Sequence, residues 1–404
     1  MLRRLEEEGT NVHSGANRIA QATTPAIPTR AASSRLRILT VVDGYYPSTG
    51  GAELQAGLIS RALANDGHRV SIVAPRLEAH RPLREDIDSI PVERIAYPRV
   101  RVLGAVVLCL KFAWRLYRNR REYDAIHVHM AKNLASVAGL LRPILKRPVV
   151  VKISGAWEFE GGILDPALRS KLYVRLMNAC IRRVDCLQCI SSYTRLMLVK
   201  AGYPEDRIRM IPNAVDLERF RFANPGDEAP NVLFVGRVEP VKGLDILLDA
   251  WPMVRNRVAA TLVIAGDGSM LQQLKQQAKE RAIENSVRFL GNVSNVADWL
   301  ASSSVYVQPS HQEGLPNSVL EAMAAGLPIV ATRVSGNEDL VIDKRNGRLV
   351  PPGRPELLAA ALIEVLSDRE RARTMGRESR RVIEEQYQMR VILDGLTRAY
   401  RGEG

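Results

Sequence analysis

Short apolar runs rich in β-branched residues recur along the chain, each closed by small or polar residues and followed by a longer stretch with helical spacing of its apolar positions. The first such unit is LRILTVV at 36–42, then a loop ending in two glycines, then a helix expected over 52–65. Further strands are expected at 70–74, 92–96, 125–129, 149–153, 186–191 and 208–211. The pattern starts afresh at 232–235 and repeats at 262–265, 287–290, 305–308 and 328–331. Repeated strand, turn and helix predict an α/β fold of doubly wound parallel sheets, and 404 residues suffice for two such domains. The division expected is a mobile leader at 1–34, an N-terminal domain at 35–212 and a C-terminal domain at 213–387, with a helix at 388–404 returning to the first. NPGDEAP, at 224–230, has the composition of a linker.

Ligands of such sheets lie off the C-terminal strand edges, so the loops after strands are where chemistry is sought. PSHQEGLPNSVLEAMAAGLP, at 309–328, is the most distinctive. Gly314 and Pro316 keep Glu313 out of a helix, whereas 318–325 reads as a short apolar helix carrying Glu321 and closed by Gly326 and Pro328. A glutamate in that apolar helix needs a polar partner or solvent, and free N–H groups at the helix start suit a phosphate. In GRVEPVKG, Gly236 frees the backbone after a strand while Arg237 and Lys242 supply two cations before a helix opened by Gly243. Arg as a fork and Lys as a point charge can neutralise a diphosphate without a metal. Gly50 and Gly51 would let backbone N–H groups approach an anion at the start of the first helix, although the glycines alone favour a flexible turn.

His127 and His129 alternate in a strand and are read as pointing to opposite faces, which makes them a poor metal pair. The loop AWEFEGGILD carries Trp157, Glu158 and Glu160 as an acceptor-recognition loop would, with a solvated connector the competing reading.

Charge changes the picture of partners. Lys and Arg total 57 against 44 Asp and Glu, a net +13, which favours an anionic partner without choosing it. RVRVLGAVVLCLKFAWRLYRNRREY contains apolar residues at Leu103, Val106, Val107, Leu110, Trp114 and Tyr117 with helical spacing, surrounded by arginines. Two readings stand open, a helix covering the sheet and contact with an anionic membrane surface. Nucleic acid is disfavoured because the basic residues do not interleave with aromatic platforms. Cys186 and Cys189 form C-x-x-C inside a strand-like run without a second ligand pair, so core thiols in a reducing, cytoplasmic setting are expected rather than zinc or redox chemistry. No stretch reaches the roughly 20 apolar residues of a membrane span.

The setting PS-x-x-EG-x-P-x-x-x-x-E-A-M-A-x-G-x-P resembles the signature of the family 4 retaining glycosyltransferases, whose fold is the two-domain GT-B. Gly50-Gly51-Ala52-Glu53 after the first strand, Asp124-x-x-His127-x-His129, and Asn213-Ala214-Val215-Asp216 are similar to further motifs of that family, the last with Ala214 for a usual glycine. Lys152 and Ser154 depart from the family's Thr-x-His-Gly. The resemblance implies transfer of a sugar from a UDP- or GDP-linked donor, without metal or other cofactor, to a glycan or lipid-linked acceptor. It implies that Arg237 and Lys242 stabilise the leaving diphosphate, that Glu321 takes the ribose hydroxyls and Glu313 the sugar hydroxyls, and that His129 contacts the sugar. Gly50, Gly51, Gly236, Gly314, Leu315, Pro316 and Asn317 would complete the donor site, with backbone N–H groups at 315–317 on the phosphates. Whether Glu313 is a nucleophile or the leaving phosphate deprotonates the acceptor stays open. A nucleotide-sugar epimerase of the same fold and a non-catalytic nucleotide-binding membrane adaptor are the alternatives.

Overall fold

The computed structural model describes residues 35–403 apart from 48–49, 156–157, 160, 169 and 224–229, so the expected leader and nearly all of the expected linker lie outside the described residues. The first sheet contains β1 (Arg37–Val42), β2 (Arg69–Pro75), β3 (Arg84–Ile87), β4 (Ile90–Ile95), β5 (Ala125–His129), β6 (Val149–Ile153), β7 (Cys186–Cys189) and β8 (Ile208–Met210). Its order is β3-β4-β2-β1-β5-β6-β7-β8. With it go α1 (Gly51–Asn65), α2 (Arg101–Arg118), α3 (Asn133–Leu145), α4 (Leu172–Ile181) and α5 (Ser192–Lys200). The second sheet has β9 (Asn231–Val235), β10 (Thr261–Ala265), β11 (Val287–Gly291), β12 (Val305–Gln308), β13 (Ile329–Thr332) and β14 (Gly347–Val350), in the order β11-β10-β9-β12-β13-β14. Its helices are α6 (Leu244–Arg255), α7 (Leu271–Glu280), α8 (Val296–Ala301), α9 (Asn317–Ala324), α10 (Ser335–Leu340), α11 (Pro355–Ser367) and α12 (Arg369–Val382). After a π-helical turn, α13 (Met389–Arg401) runs back against α1, β5 and β6 of the first sheet.

The expected pair of doubly wound sheets is present, and the central strands are buried on both faces because helices cover both. One edge differs from an all-parallel sheet. β3 pairs antiparallel with β4 through a two-residue turn in which Asp88 (φ 50°) and Ser89 (φ 63°) are both left-handed, the geometry of a tight hairpin. REDI is polar because it is an edge strand, which hides it from a search for apolar runs.

The reading that put His127 and His129 on opposite faces does not hold. Residues two apart in a strand share a face, and His127 and His129 lie side by side with ring centroids 4.3 Å apart. Both rings face the layer that holds α13, where Tyr400 Oη and Gln188 Oε1 bracket His127 at 2.7 and 2.9 Å. The inward face of α2 is also different from the residues picked out by spacing. Gly104, Leu108, Phe112 and Leu116 are buried, while Leu103, Val106, Leu110, Trp114 and Tyr117 are exposed. Gly104 lets the segment that enters α2 pass close to the helix, since a Cβ there would lie 2.2 Å from the Pro98 carbonyl oxygen.

Candidate functional site

The exit from β12 builds the centre of the site. Pro309 and Ser310 leave the sheet, and the chain then turns so that the Glu313 carboxylate points back toward the strand end. Its Oε1 accepts from Gln308 Nε2 at 2.5 Å, Ser310 Oγ at 2.6 Å and Lys242 Nζ at 2.7 Å. Ser335 Oγ, at the start of α10, donates to the Glu313 carbonyl oxygen. Glu313 is only 8% exposed, so the ammonium compensates a charge that water cannot, and the three donors fix its direction.

Lys242 reaches Glu313 because of local backbone geometry. A 3₁₀ turn over Pro240–Lys242 runs into Gly243, which is left-handed (φ 61°) and caps α6. A Cβ on Gly243 would lie 2.2 Å from the Pro309 carbonyl oxygen, so only glycine allows the loops after β9 and β12 to meet this closely. His311 N donates to Val241 O at 2.8 Å and fastens them further. Arg237 stands exposed on the same loop, just after Gly236, whose N–H bonds Ala265 O. Ser269 holds the neighbouring Glu239 carboxylate at 2.6 Å and, with the Arg237 charge, keeps its carboxyl below the usual range.

Beyond Glu313 the chain passes Gly314 and the buried Leu315, and Pro316 leads into α9, whose first residue is Asn317. Pro316 offers no side-chain cap, so the first-turn N–H groups of α9 are available to an anion. Glu321, one turn on, is half-buried, and that burial pushes its carboxyl up to about 7 against the opposing charge of Arg219. The Tyr306 hydroxyl lies 3.1 Å from Val235 O and 3.0 Å from Gln308 Oε1, which links the end of β9 to the Gln308 amide that also holds Glu313.

The elements of the first sheet touch this segment directly. Asn317 Nδ2 donates to Gly51 O at 3.1 Å, and its Oδ1 accepts from Asn213 Nδ2 at 2.8 Å and Gln55 Nε2 at 3.3 Å. Gln55 also pairs with the backbone of Ala214 in both directions, at 2.8 and 3.0 Å. Gly314 packs where a Cβ would meet Ser154 O at 2.8 Å and Gly155 Cα at 2.9 Å. The structure therefore gathers Gly51, Gly314, Leu315, Pro316 and Asn317 at one junction, next to Lys242 and Glu313, with Gly50 one residue before α1.

His129 is not on an open wall. It is fully buried beside His127 and Lys152, neither ring nitrogen has a hydrogen-bond partner, and burial holds it neutral, well below the usual imidazole range. Lys152 is buried too, its ammonium without a hydrogen bond and pushed down by desolvation. At Glu158 neither reading holds, since this side chain is fully buried. Its carboxylate accepts from the N–H groups of Ala131, Ser154 and Gly155 at 2.7, 2.5 and 3.1 Å and staples the exits of β5 and β6 together. Trp157 and Glu160 lie outside the described residues. Sequence reasoning missed Gln55; its signal is a polar side chain between Ala52, Ala56 and Ile59 on the inward face of α1.

Comparison with known proteins gives this geometry a family. The family model described as Glycosyltransferase Family 4 matches residues 49–219, and that described as Glycosyl transferases group 1 matches 216–382, so the two together take in every strand of both sheets except β1. A GDP-mannose-dependent alpha-(1-6)-phosphatidylinositol monomannoside mannosyltransferase of Mycobacterium tuberculosis is 26% identical over 91% of this chain and 98% of its own. A UDP-Gal:alpha-D-GlcNAc-diphosphoundecaprenol alpha-1,3-galactosyltransferase of Escherichia coli is 28% identical over 62% and 68%. In fold the chain is similar to Anabaena HepE, solved in complex with UDP, with a TM-score of 0.74 at 22% identity over 91% of this chain and all of that one. This chain belongs to the family 4 glycosyltransferases, with the GT-B fold.

Proposed function

We propose that this glycosyltransferase moves a sugar from a UDP- or GDP-linked donor to a glycan or lipid-linked glycan, with retention of configuration and without a metal ion. The observation that carries the reading is the Lys242–Glu313 pair beside the uncapped start of α9. As the bond from the anomeric carbon to the diphosphate oxygen breaks, negative charge grows on the leaving group, and preorganised cations and N–H groups lower that barrier most. Lys242 and Arg237 supply the cations, and the N–H groups around Leu315 to Asn317 supply the donors. Glu321 accepts from the ribose hydroxyls in its ionised form. Glu313 holds the sugar hydroxyls.

Three donors on Glu313 Oε1 occupy that oxygen and fix its direction, which supports an orienting and electrostatic role over that of a nucleophile. The acceptor oxygen then bonds to the anomeric carbon on the face the diphosphate leaves, and its proton passes to the released phosphate. The names of the Mycobacterium and Escherichia relatives, one GDP-linked and one UDP-linked, both with lipid-attached acceptors, support the donor and acceptor classes. Four free cysteines, with Cys186 and Cys189 buried and their thiols pushed up to about 12, suit a reducing, cytoplasmic setting. Proton NMR of the product formed from UDP- and GDP-sugars in the presence of EDTA tests this. An α-linked product from an α-linked donor supports it, and an inverted product or loss of turnover in EDTA overturns it.

A further inference from the structure

Besides its sheet-facing side, α2 carries a second apolar stripe. Leu103, Val106, Leu110, Trp114 and Tyr117 recur at helical spacing and are 49–65% exposed. At 3.6 residues per turn they lie about 180° from the buried Leu108, Phe112 and Leu116. The stripe does not end with α2. α3 packs beside α2 and α4 beside α3, and these continue the surface with Leu140 and Ile144 on α3 and Leu172, Tyr173 and Leu176 on α4, each more than half exposed. Large exposed apolar side chains gathered on three neighbouring helices mark an interaction site.

Its charge selects the partner. None of α2, α3 and α4 contains a single Asp or Glu. Exposed Lys111 and Arg118 flank the stripe on α2, Lys146 follows α3, and Lys171 and Arg175 border the apolar residues of α4. The Arg118 and Arg120 guanidinium groups stack on Trp114 and Tyr117 at 5.1 and 4.4 Å, so aromatic ring and cation are presented together. Apolar side chains rimmed by cations, with Trp and Tyr at the boundary, match an anionic bilayer, where the rings sit at headgroup depth and the cations meet lipid phosphates. Among the described residues no helix is long and apolar enough to cross a membrane, so the contact would be one of surface docking.

We propose that α2, α3 and α4 together form the face by which this chain docks on an anionic lipid bilayer. The inference stands on this surface and not on the cleft, so either can fail without the other. It is tested by cosedimentation of the full chain with phosphatidylglycerol-containing and with pure phosphatidylcholine vesicles. The wild type is expected to bind the anionic vesicles and to leave the neutral ones. Leu110→Ser/Trp114→Ser/Leu176→Ser and, separately, Lys111→Ser/Arg118→Ser/Arg175→Ser are each expected to lower the bound fraction by roughly tenfold or more. All these side chains are exposed, and an unchanged thermal shift with UDP and GDP shows that the variants remain folded. Lys275→Ser/Lys279→Ser, on α7, is expected to bind as the wild type does. Tryptophan emission is expected to shift to the blue on binding in the wild type and to do so markedly less in Trp114→Phe. Binding unaffected by either triple variant, no binding to anionic vesicles, or a solution dimer dissolved by the apolar variant without vesicle binding would each overturn the proposal.

Discussion

Lys242 Nζ donates to Glu313 Oε1 across 2.7 Å and so fastens the loop after β9 to the loop after β12. The pair is nearly enclosed, with side-chain exposures of 16% and 8%. Removing the cation leaves a buried carboxylate held by Gln308 and Ser310 alone. Lys242→Met is therefore expected to lower unfolding free energy by about 1–3 kcal/mol and kcat/KM by about a hundredfold or more. Glu313→Gln keeps the shape and is expected to lose turnover with a smaller change in stability. Urea denaturation beside steady-state kinetics separates the two, and a Glu313→Gln enzyme of near wild-type kcat would remove Glu313 from the mechanism.

Gln55 gives a second expectation. Its amide completes two hydrogen bonds to the Ala214 backbone and reaches Asn317, all in a buried setting. Gln55→Leu is expected to cost about 1–3 kcal/mol, because Ala214 N–H and C=O lose their partners. It also loosens the junction of α1 with α9. Nucleotide affinity is expected to fall in Gln55→Leu more than in a surface variant of equal stability, as a titration of UDP and GDP would show.

Glu321 makes the cleft sensitive to pH. Its folded carboxyl is raised from the ordinary 4.5 to about 7, so the native state holds the proton more tightly than the unfolded chain. The favourable contribution is present in full below about 4.5 and is lost as pH rises to about 7. Melting temperature is expected to show that decline in the wild type and a weaker one in Glu321→Gln. Nucleotide affinity runs the other way, since the carboxylate that accepts from ribose hydroxyls forms only as pH rises from about 6 to about 8. Glu321→Gln flattens this profile; an unchanged profile would place the ribose elsewhere.

Lys152 is a buried ammonium without a hydrogen bond, between the His129 strand and β7. Replacing a buried charge with an apolar side chain of similar length is neutral or stabilising by about 1–2 kcal/mol when its surroundings lose no essential bond. Lys152→Met is expected to melt no lower than the wild type, as Glu158 keeps its three N–H donors. A large drop in melting temperature would show that Lys152 balances Glu158.

The parts of the fold legible in the sequence are those whose residues face one environment throughout. β5, β6 and β12 are short, largely apolar runs buried on both faces, and the α9 segment is bounded by Pro316, Gly326 and Pro328, so their limits come within a residue or two. β3 and α12 are polar along their length and were hidden, since one is an edge hairpin and the other buries only Met375, Gly376, Ser379 and Val382. α2 misleads for a different reason. It has two apolar faces, and spacing alone does not say which one meets the sheet. In the site, Glu313 and Lys242 were readable from glycine and proline placement, whereas the Gln55–Ala214 and Glu158–Ala131 bonds join side chains to backbone atoms distant in the chain, so that no spacing in the sequence names their partners.

The central claim is that the Lys242–Glu313 corner receives the diphosphate of a nucleotide. Calorimetric titration of UDP and GDP into the full chain in EDTA, beside Lys242→Met, tests it most directly. One of the two nucleotides is expected to bind the wild type without metal and to lose about 2 kcal/mol or more in Lys242→Met, as a charge-assisted phosphate contact would. Equal affinity in both proteins, or binding that appears only when a divalent cation is added, would contradict it.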